Sequence, residues 1–405
     1  RRSSDLNKGN VIMQETLSHY FGYKSFRPGQ EEIITKILNH QHTLGVLPTG
    51  GGKSICYQVP GLMQGGTTIV ISPLISLMKD QVDQLQAMGI QAAYLNSSLT
   101  HKQQKEIEEQ IKRGAIQFLY VAPERFENTF FLNLLRKIEI PLIAFDEAHC
   151  ISKWGHDFRP SYQSVIQKVF TLPQNFTIVA LTATATAEVQ QDIMSKLSIG
   201  QNDVVKTSTK RRNLIFKVNP TYQRQKFVVD YVANHEGQAG IIYCSTRKQV
   251  EELHEALNSE KIKSTIYHAG LTNKERIEAQ NDFLYDRVEV VIATNAFGMG
   301  IDKSNVRYVI HYNMPGDLES YYQEAGRAGR DGLKSECILL FSERDKGLHE
   351  YFITVSQADD DYKDKMGEKL TKMIQYTKTK RCLEATIVHY FEPNENLEEC
   401  NQCSN

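Results

Sequence analysis

The chain has 405 residues, 40% of them hydrophobic, and a formal net charge of −1. This length predicts two or three domains with ordinary cores, and the near-zero charge excludes a global positive field that would attract nucleic acid. No apolar run approaches the ~18 residues of a membrane span and no signal-peptide core follows the N-terminus, so we expect a cytoplasmic protein without a membrane partner. The polar segment 1–10 is interpreted as a disordered tail or an artificial addition.

The first candidate binding group precedes a helical pattern at Glu31–Leu38. The amide of Gln30 can pair with a donor and an acceptor on an adenine edge, while Tyr23 or Arg27 stacks on the adenine face. The alternative is a helix start whose polar groups are merely solvated. The glycine-rich loop that follows in the chain favours the nucleotide-binding interpretation.

That loop reads Pro-Thr-Gly-Gly-Gly-Lys-Ser and follows the predicted strand Thr43–Leu47. Its glycines let backbone N–H groups curl around a phosphate, and the helix predicted to begin after it adds partial positive charge. Lys53 can reach the β- and γ-phosphates, and the Ser54 hydroxyl can ligate Mg²⁺. The strict phosphate-loop pattern wants glycine where this chain has Leu47. The predicted nucleotide-binding residues here are Thr49, Gly50, Gly51, Gly52, Lys53 and Ser54.

Apolar runs of strand length then alternate with amphipathic helical stretches. This alternation predicts a parallel sheet covered on both faces, in which ligands bind beyond the carboxyl ends of the strands. The predicted strands are Thr67–Ser72, Ile116–Ala122, Ile140–Phe145 and Phe176–Leu181, and the helical stretches include Leu77–Met88 and Lys102–Arg113.

The strand Ile140–Phe145 ends in Asp-Glu-Ala-His. We expect Asp146 to leave the sheet beside the glycine-loop strand and hold Mg²⁺ through water, and Glu147 to polarise the attacking water. The alternative, a solvated acidic turn, is disfavoured by the buried strand before it. The segment Thr182–Thr186 follows the next strand, and its hydroxyl groups can bridge the two loops at this edge.

Together these motifs resemble the first motor domain of a superfamily-two helicase. The segment Cys150–Pro160 resembles the aromatic-rich loop of the RecQ family of DNA helicases, as does Phe-Arg-Pro-Gly-Gln ending at Gln30. In such a loop Trp154 and Phe158 can stack unpaired bases at ~1–3 kcal/mol each, and Arg159 can meet a phosphate. His156 is grouped with them as DNA-binding. The alternative for Trp154 is core filling.

The segment Thr207–Asn213 is polar and basic and is interpreted as an interdomain linker. The half that follows has no phosphate loop of its own and is predicted to act as a lid on the first site. The resemblance implies that Thr294 and Asn295 face the DNA backbone and that Gly300 and Asp302 approach the nucleotide. The predicted strands of this half are Ala239–Cys244, Ser264–Tyr267, Val288–Ala293, Val306–Tyr312 and Cys337–Phe341.

Arg327 and Arg330 are three residues apart, which predicts one helical face that can be carried to the phosphates as arginine fingers. The alternative is a basic helix on the surface. The glycines at 326, 329 and 332 argue against it, because glycine weakens a plain helix.

The C-terminal segment is charged, helical and free of new strands by its pattern, and it carries Cys382, Cys400 and Cys403. A Cys-x₂-Cys pair with an upstream cysteine has structural-zinc spacing. The RecQ resemblance implies a fourth cysteine, expected beyond Asn405; the alternatives are His389 or an outside group. The four other cysteines are expected to be small buried side chains.

The predicted fold class is α/β, with two RecA-like parallel-sheet domains in tandem at residues 11–207 and 208–342 and a helical zinc-binding subdomain at 343–405. The resemblance implies an ATP-, Mg²⁺- and Zn²⁺-dependent DNA helicase that moves 3′ to 5′ on single-stranded and partly duplex DNA in recombination and repair. Two alternatives remain open: an RNA helicase, and a nucleotide-gated clamp without turnover.

Overall fold

The structure is a computed structural model that describes residues 2–48, 52–295, 297, 303–396 and 398–405. The chain forms two compact units, divided between Ser208 and Thr209. Among the described residues, no helix is long and apolar enough to cross a membrane.

The first unit is built on a seven-stranded parallel sheet with the order β3-β4-β2-β5-β6-β1-β7. Side chains on the two sheet faces form two separate hydrophobic clusters beneath the flanking helices, which confirms the predicted doubly covered sheet. Its strands are β1 (Thr43–Val46), β2 (Thr68–Ile71), β3 (Ala92–Leu95), β4 (Phe118–Val121), β5 (Leu142–Phe145), β6 (Thr177–Thr182) and β7 (Val204–Lys206). Its helices are α1 (Arg2–Phe21), α2 (Gln30–Leu38), α3 (Ile55–Gln64), α4 (Ile75–Ala87), α5 (His101–Lys112), α6 (Thr129–Leu135), α7 (Ser161–Val169) and α8 (Ala187–Leu197).

Three expectations for this unit differ from the structure. The strand β5 does not lie beside β1, because β6 is hydrogen-bonded between them. The short strands β3 and β7 were not predicted, since a few residues at a sheet margin carry too little periodicity. The polar N-terminal segment, expected to be disordered, is helical from Arg2 as the first half of α1, whose later residues Met13 and Leu17 are buried.

The second unit contains a six-stranded parallel sheet with the order β10-β11-β9-β12-β13-β8, and β8 was not predicted. Its strands are β8 (Leu214–Pro220), β9 (Ala239–Tyr243), β10 (Ser264–Tyr267), β11 (Val290–Ala293), β12 (Val306–His311) and β13 (Ser335–Phe341). Its helices are α9 (Arg224–Asn234), α10 (Arg247–Ser259), α11 (Asn273–Leu284), α12 (Leu318–Ala325), α13 (Glu343–Val355), α14 (Asp360–Lys378) and α15 (Leu383–Phe391).

The C-terminal helices are not separate from this second sheet. Met373 and Tyr376 of α14 and Leu383 of α15 belong to the same buried cluster as Phe216 of β8 and Leu339 of β13. The helical tail therefore folds against the second sheet and completes one of its two hydrophobic faces.

Candidate nucleotide site and zinc site

The predicted phosphate lysine and the predicted catalytic acid meet at the carboxyl edge of the first sheet. Lys53 follows β1 and lies just before α3, and Glu147 follows β5. The Lys53 Nζ atom lies 3.3 Å from Glu147 Oε1, with only 14% and 8% of the two side chains exposed. An ammonium and a carboxylate that are this close together and this little exposed to solvent form a site at which the ammonium can bind a phosphate and the carboxylate can polarise water.

Asp146, the predicted magnesium ligand, is buried beside them. Burial raises the pKa of its carboxyl to about 6, while the nearby charge of Lys53 acts in the opposite direction. The backbone N–H of Glu147 donates to Asp146 Oδ1 at 3.0 Å. A divalent cation favours the ionised form of such a carboxyl, so the donor set fits Mg²⁺.

Glu147 adopts a left-handed backbone conformation with φ of 50°. This region is sparsely populated by residues other than glycine, and its cost is of order 1–3 kcal/mol. The conformation accompanies a side chain that reaches both Lys53, at 3.3 Å, and the ring of His149, at 3.5 Å. The strain is thus located at the residue to which the sequence assigns the catalytic base.

Thr182, at the end of β6, bonds to the loops on both sides of it. Its hydroxyl donates to the carbonyl of Thr184 at 3.1 Å, so it must accept from the Nδ1–H of His149, 2.9 Å away. Its carbonyl accepts from the N–H of Leu47 at 3.0 Å. The expected bridge between the glycine loop and the acidic loop is therefore present. It forms because β6 lies between β1, which precedes the glycine loop, and β5, which precedes the acidic loop.

His149 is buried, and desolvation lowers its pKa to about 3. Its ring stacks on that of His156 in the following loop, with centroids 4.5 Å apart. The neutral ring of His149 thus connects the acidic loop to the segment Cys150–Pro160, which contains His156.

The predicted adenine-binding group lies at the start of α2. Gln30 accepts from the N–H of Arg27 and donates through Nε2 to the carbonyl of Gly52, both at 2.8 Å. A Cβ at residue 52 would approach Nε2 to 3.2 Å, so a larger residue there would require the Gln30 amide to shift. Tyr23 is 51% exposed, as a residue available for stacking would be. Of the other nucleotide-binding predictions, Ser54 occupies the N-cap position of α3 without a capping bond from its hydroxyl, and Thr49, Gly50 and Gly51 lie outside the described residues.

The loop from Cys150 to Pro160 keeps its aromatic residues only partly exposed. Trp154 packs against the main cluster of the first unit, and the Lys153 ammonium lies 5.5 Å from its ring centroid. Phe158 is also half-buried, and Arg159 pairs with Asp157 at 3.3 Å. Trp154 therefore has a packing role in this structure, and its stacking on DNA stays a prediction.

In the second unit, Thr294 follows β11 and donates its backbone N–H to Tyr267 at 3.1 Å, and Asn295 is exposed. Both residues lie at the carboxyl edge of the second sheet, where ligands of parallel sheets bind. The predicted nucleotide contacts Gly300 and Asp302 lie outside the described residues.

Arg327 and Arg330 are not on a helical face, which corrects the spacing argument. The helix α12 ends at Ala325 with Gly326 as its cap, and the two arginines lie in the turn that follows. We call residues 326–330 the arginine turn. Gly329 has a φ of 59°, which explains why glycine interrupts the helical pattern.

Arg327 is 5% exposed and hydrogen-bonds to the side chain of Tyr243. Within the part of the chain that the structure describes, its Nε atom has no hydrogen-bond partner. A buried guanidinium with an unused donor is suited to an anionic ligand.

The zinc prediction converges on one cluster. The sulfur atoms of Cys382, Cys400 and Cys403 all lie within 4.8 Å of one another. Backbone N–H groups point at these sulfurs: Cys400 N at 3.3 Å from Cys382 Sγ, and Cys403 N at 3.3 Å from Cys400 Sγ. Such N–H groups stabilise thiolates, so the donor set fits zinc. Exposed His389 is not among the clustered ligands of the described residues, and the fourth ligand stays a prediction.

The four remaining cysteines are buried, as expected: Cys56, Cys150, Cys244 and Cys337.

The fold and the site define the class of two-domain RecA-like motor proteins. The defining features are two tandem parallel sheets, a lysine–acid pair at the edge of the first sheet and an arginine turn in the second unit. Family models agree with this class. A DEAD/DEAH box helicase model matches residues 27–193, a helicase conserved C-terminal domain model matches 223–332, and a RecQ zinc-binding model matches 343–405.

Comparison with individual proteins identifies the family within this class. The "ATP-dependent DNA helicase RecQ" of Bacillus subtilis is 48% identical over 97% of this chain and 66% of its own length. The "Probable ATP-dependent DNA helicase RecS" of the same organism is 43% identical over 85% of this chain and 70% of its own length. The chain belongs to the RecQ family of helicases.

A solved structure, the DUF1998 helicase MrfA bound to DNA, has a TM-score of 0.69 over 92% of this chain and 54% of its own, at 18% identity, which shows the shared fold. The chain spans 61–66% of the length of three bacterial RecQ relatives.

Proposed function

We propose that this chain is the motor of an ATP- and Mg²⁺-dependent DNA helicase. It moves 3′ to 5′ on single-stranded DNA, unwinds duplex DNA in recombination and repair, and hydrolyses ATP faster when single-stranded DNA is bound. The family relationship supports this proposal. The observation that carries it is the buried contact of Lys53 Nζ with Glu147 Oε1 beside Asp146.

In the proposed reaction, Lys53 binds the β- and γ-phosphates, and Glu147 orients the attacking water and accepts its proton. The ion pair between them must loosen when phosphate enters, which frees the carboxylate for water. Ser54 and Asp146 would hold Mg²⁺, which neutralises charge that develops on the phosphates.

Recognition of the base is assigned to Tyr23, Arg27 and Gln30. The Gln30 amide is tied to the carbonyl of Gly52. Binding of adenine would therefore exchange a bond within the protein for a bond to the ligand, and would release the loop that holds the phosphates.

Arg327 and Arg330 are proposed to stabilise charge on the transferred phosphate, and Gly300 and Asp302 to contact the same nucleotide. DNA is proposed to bind through the loop that contains Trp154, His156, Phe158 and Arg159, and through Thr294 and Asn295. Stacking of unpaired bases is tolerant of sequence, as a motor that moves along DNA requires.

The test compares ATP hydrolysis with and without single-stranded DNA, and strand separation on DNA duplexes with a 3′ tail, DNA duplexes with a 5′ tail, and matched RNA duplexes. We expect stimulated hydrolysis and separation of the 3′-tailed DNA alone. Preferential separation of RNA would establish the RNA-helicase alternative, and DNA binding without phosphate release would establish the clamp.

A further inference from the structure

One side chain from a distant part of the sequence makes three hydrogen bonds to the backbone of the arginine turn. Arg211 donates through Nη1 to the carbonyl of Gly326 at 2.6 Å. Its Nη2 donates to the carbonyls of Ala328 at 3.0 Å and Gly329 at 3.2 Å. One guanidinium therefore binds three of the carbonyls that surround Arg327.

The carbonyl of Gly326 belongs to the C-cap of α12, and those of Ala328 and Gly329 lie in the turn that follows it. The last carbonyls of a helix have no partner within the helix, and its C-terminus carries partial negative charge. A guanidinium presents several N–H groups in a rigid plane, whereas a lysine ammonium cannot reproduce this spacing. Arg211 thus bonds the C-cap residue of α12 and two residues of the turn beyond it, which restrains the path of the backbone there.

Neighbouring contacts hold both Arg211 and the turn. Asn213 donates to the carbonyls of Gly329 at 2.7 Å and Leu333 at 3.1 Å. The hydroxyl of Tyr322, on α12 itself, donates to the carbonyl of Thr209 at 2.7 Å. The segment 209–213 therefore donates hydrogen bonds to the region after α12 and accepts one from α12 itself.

We propose that Arg211 is a positioning residue for ATP hydrolysis, which sets the backbone of the arginine turn so that Arg327 and Arg330 point correctly. This inference rests on the proposed role of those two arginines. Arg211 itself binds no phosphate in this proposal, because the three described hydrogen bonds of its side chain all go to backbone carbonyls. Arg211 is the third residue of the second unit, which begins at Thr209.

The first test is Arg211→Ala and Arg211→Lys, with Arg212→Ala as the matched control. Arg212 is the next residue and has the same charge, but it pairs with Glu384 at 3.6 Å and Glu398 at 3.4 Å instead of the turn. We expect both Arg211 variants to lower kcat by ~10–100-fold, as small misplacements of a reacting group do, with little change in KM for ATP. Arg212→Ala should retain turnover. A change in KM alone, or full rescue by lysine, would overturn the proposal.

A purely structural role is excluded by measuring folded fractions by circular dichroism at the assay temperature and by a double-mutant cycle. If Arg211 acts through the turn, Arg211→Ala should add little to the loss already caused by replacing Arg327 and Arg330 together with alanine. Additive losses would contradict the inference. The same variants distinguish two ways in which the inference could fail. Unaffected turnover in Arg327→Ala and Arg330→Ala would refute the finger role. Reduced turnover in those two variants together with normal turnover in Arg211→Ala would refute the positioning role alone.

Discussion

At the scale of single residues, the lysine–acid contact makes the sharpest prediction. Lys53→Ala should lower kcat by at least ~10²-fold because it removes charge stabilisation of the phosphates. Glu147→Gln should retain ATP binding but lose turnover by ~10²–10⁴-fold, since an amide cannot accept a proton from water. Phosphate release and nucleotide titration measure the two effects.

The control for Lys53→Ala is Lys79→Ala, which removes an exposed lysine that pairs with Asp83 four residues on. It should leave both measurements unchanged. Near-normal turnover in Glu147→Gln would show that another group activates the water.

His149 predicts a pH dependence of stability. Its folded pKa of about 3 lies below its ordinary value of 6.5, so the ring is neutral in the fold but protonates on unfolding. Its contribution to the free energy of unfolding is therefore complete above pH 6.5 and is lost as the pH falls toward 3. Between pH 7 and 4.5 this loss is about 2–3 kcal/mol.

We expect the Tm of His149→Gln to fall less steeply with acidification than that of the parent protein. His101→Gln, at an exposed position on α5, is the control and should follow the parent. Parallel dependences of Tm on pH for all three proteins would show that the His149 ring binds the same number of protons in the folded and unfolded states, so that its pKa is not lowered in the fold.

At the scale of elements, the loop after β5 predicts how DNA affects hydrolysis. Trp154 lies five residues beyond His149, and His156 stacks on that ring, so a shift of the loop must act on the acidic residues. Such coupling is typically ~1–3 kcal/mol. Trp154→Ala should reduce stimulation by single-stranded DNA, and strand separation still more, while turnover without DNA falls less.

The alternative is that Trp154 acts only through its packing against the main cluster of the first unit. If Trp154→Ala lowers the Tm and impairs turnover equally with and without DNA, the residue serves packing alone. Trp154→Phe separates the two cases, because it keeps an aromatic face for stacking with a smaller loss of packed volume.

The three-cysteine cluster predicts that zinc stabilises the tail. In a protein that supplies the fourth ligand, we expect one zinc ion per chain by elemental analysis, and Cys400→Ser should lose it and unfold the region around α15, because structural zinc supplies local folding energy. The control is Cys56→Ala, which alters a buried cysteine of the first unit and should retain zinc. A folded, zinc-free tail would contradict the assignment.

At the scale of the whole molecule, the two units contain separate hydrophobic clusters, so unfolding need not be a single transition. We expect two calorimetric transitions. A non-hydrolysable ATP analogue at ~100 times its Kd should stabilise the transition of the first unit by ~2.7 kcal/mol. Lys53→Ala should remove that shift. An analogue that shifted only the other transition would show that the nucleotide binds elsewhere.

Much of the fold could be predicted from the sequence because its signals are local. The apolar runs that became β2, β4, β5 and β6 are buried on both faces, and such strands are recognisable without their neighbours. The motif residues Lys53, Asp146 and Glu147 and the three tail cysteines were likewise visible from spacing alone.

Strand order and the arginine turn required the tertiary structure. No local pattern says that β6 lies between β1 and β5, yet this order makes Thr182 the bridge between two loops. The spacing of Arg327 and Arg330 predicted a helix, but α12 ends at Ala325, and the turn beyond it has a positive φ at Gly329 and accepts hydrogen bonds from Arg211. Arg211 has no local signal, because its partners are backbone carbonyls more than a hundred residues away. Local sequence patterns specify which chemical groups are present and which strands precede them, whereas strand pairing and burial bring particular groups together.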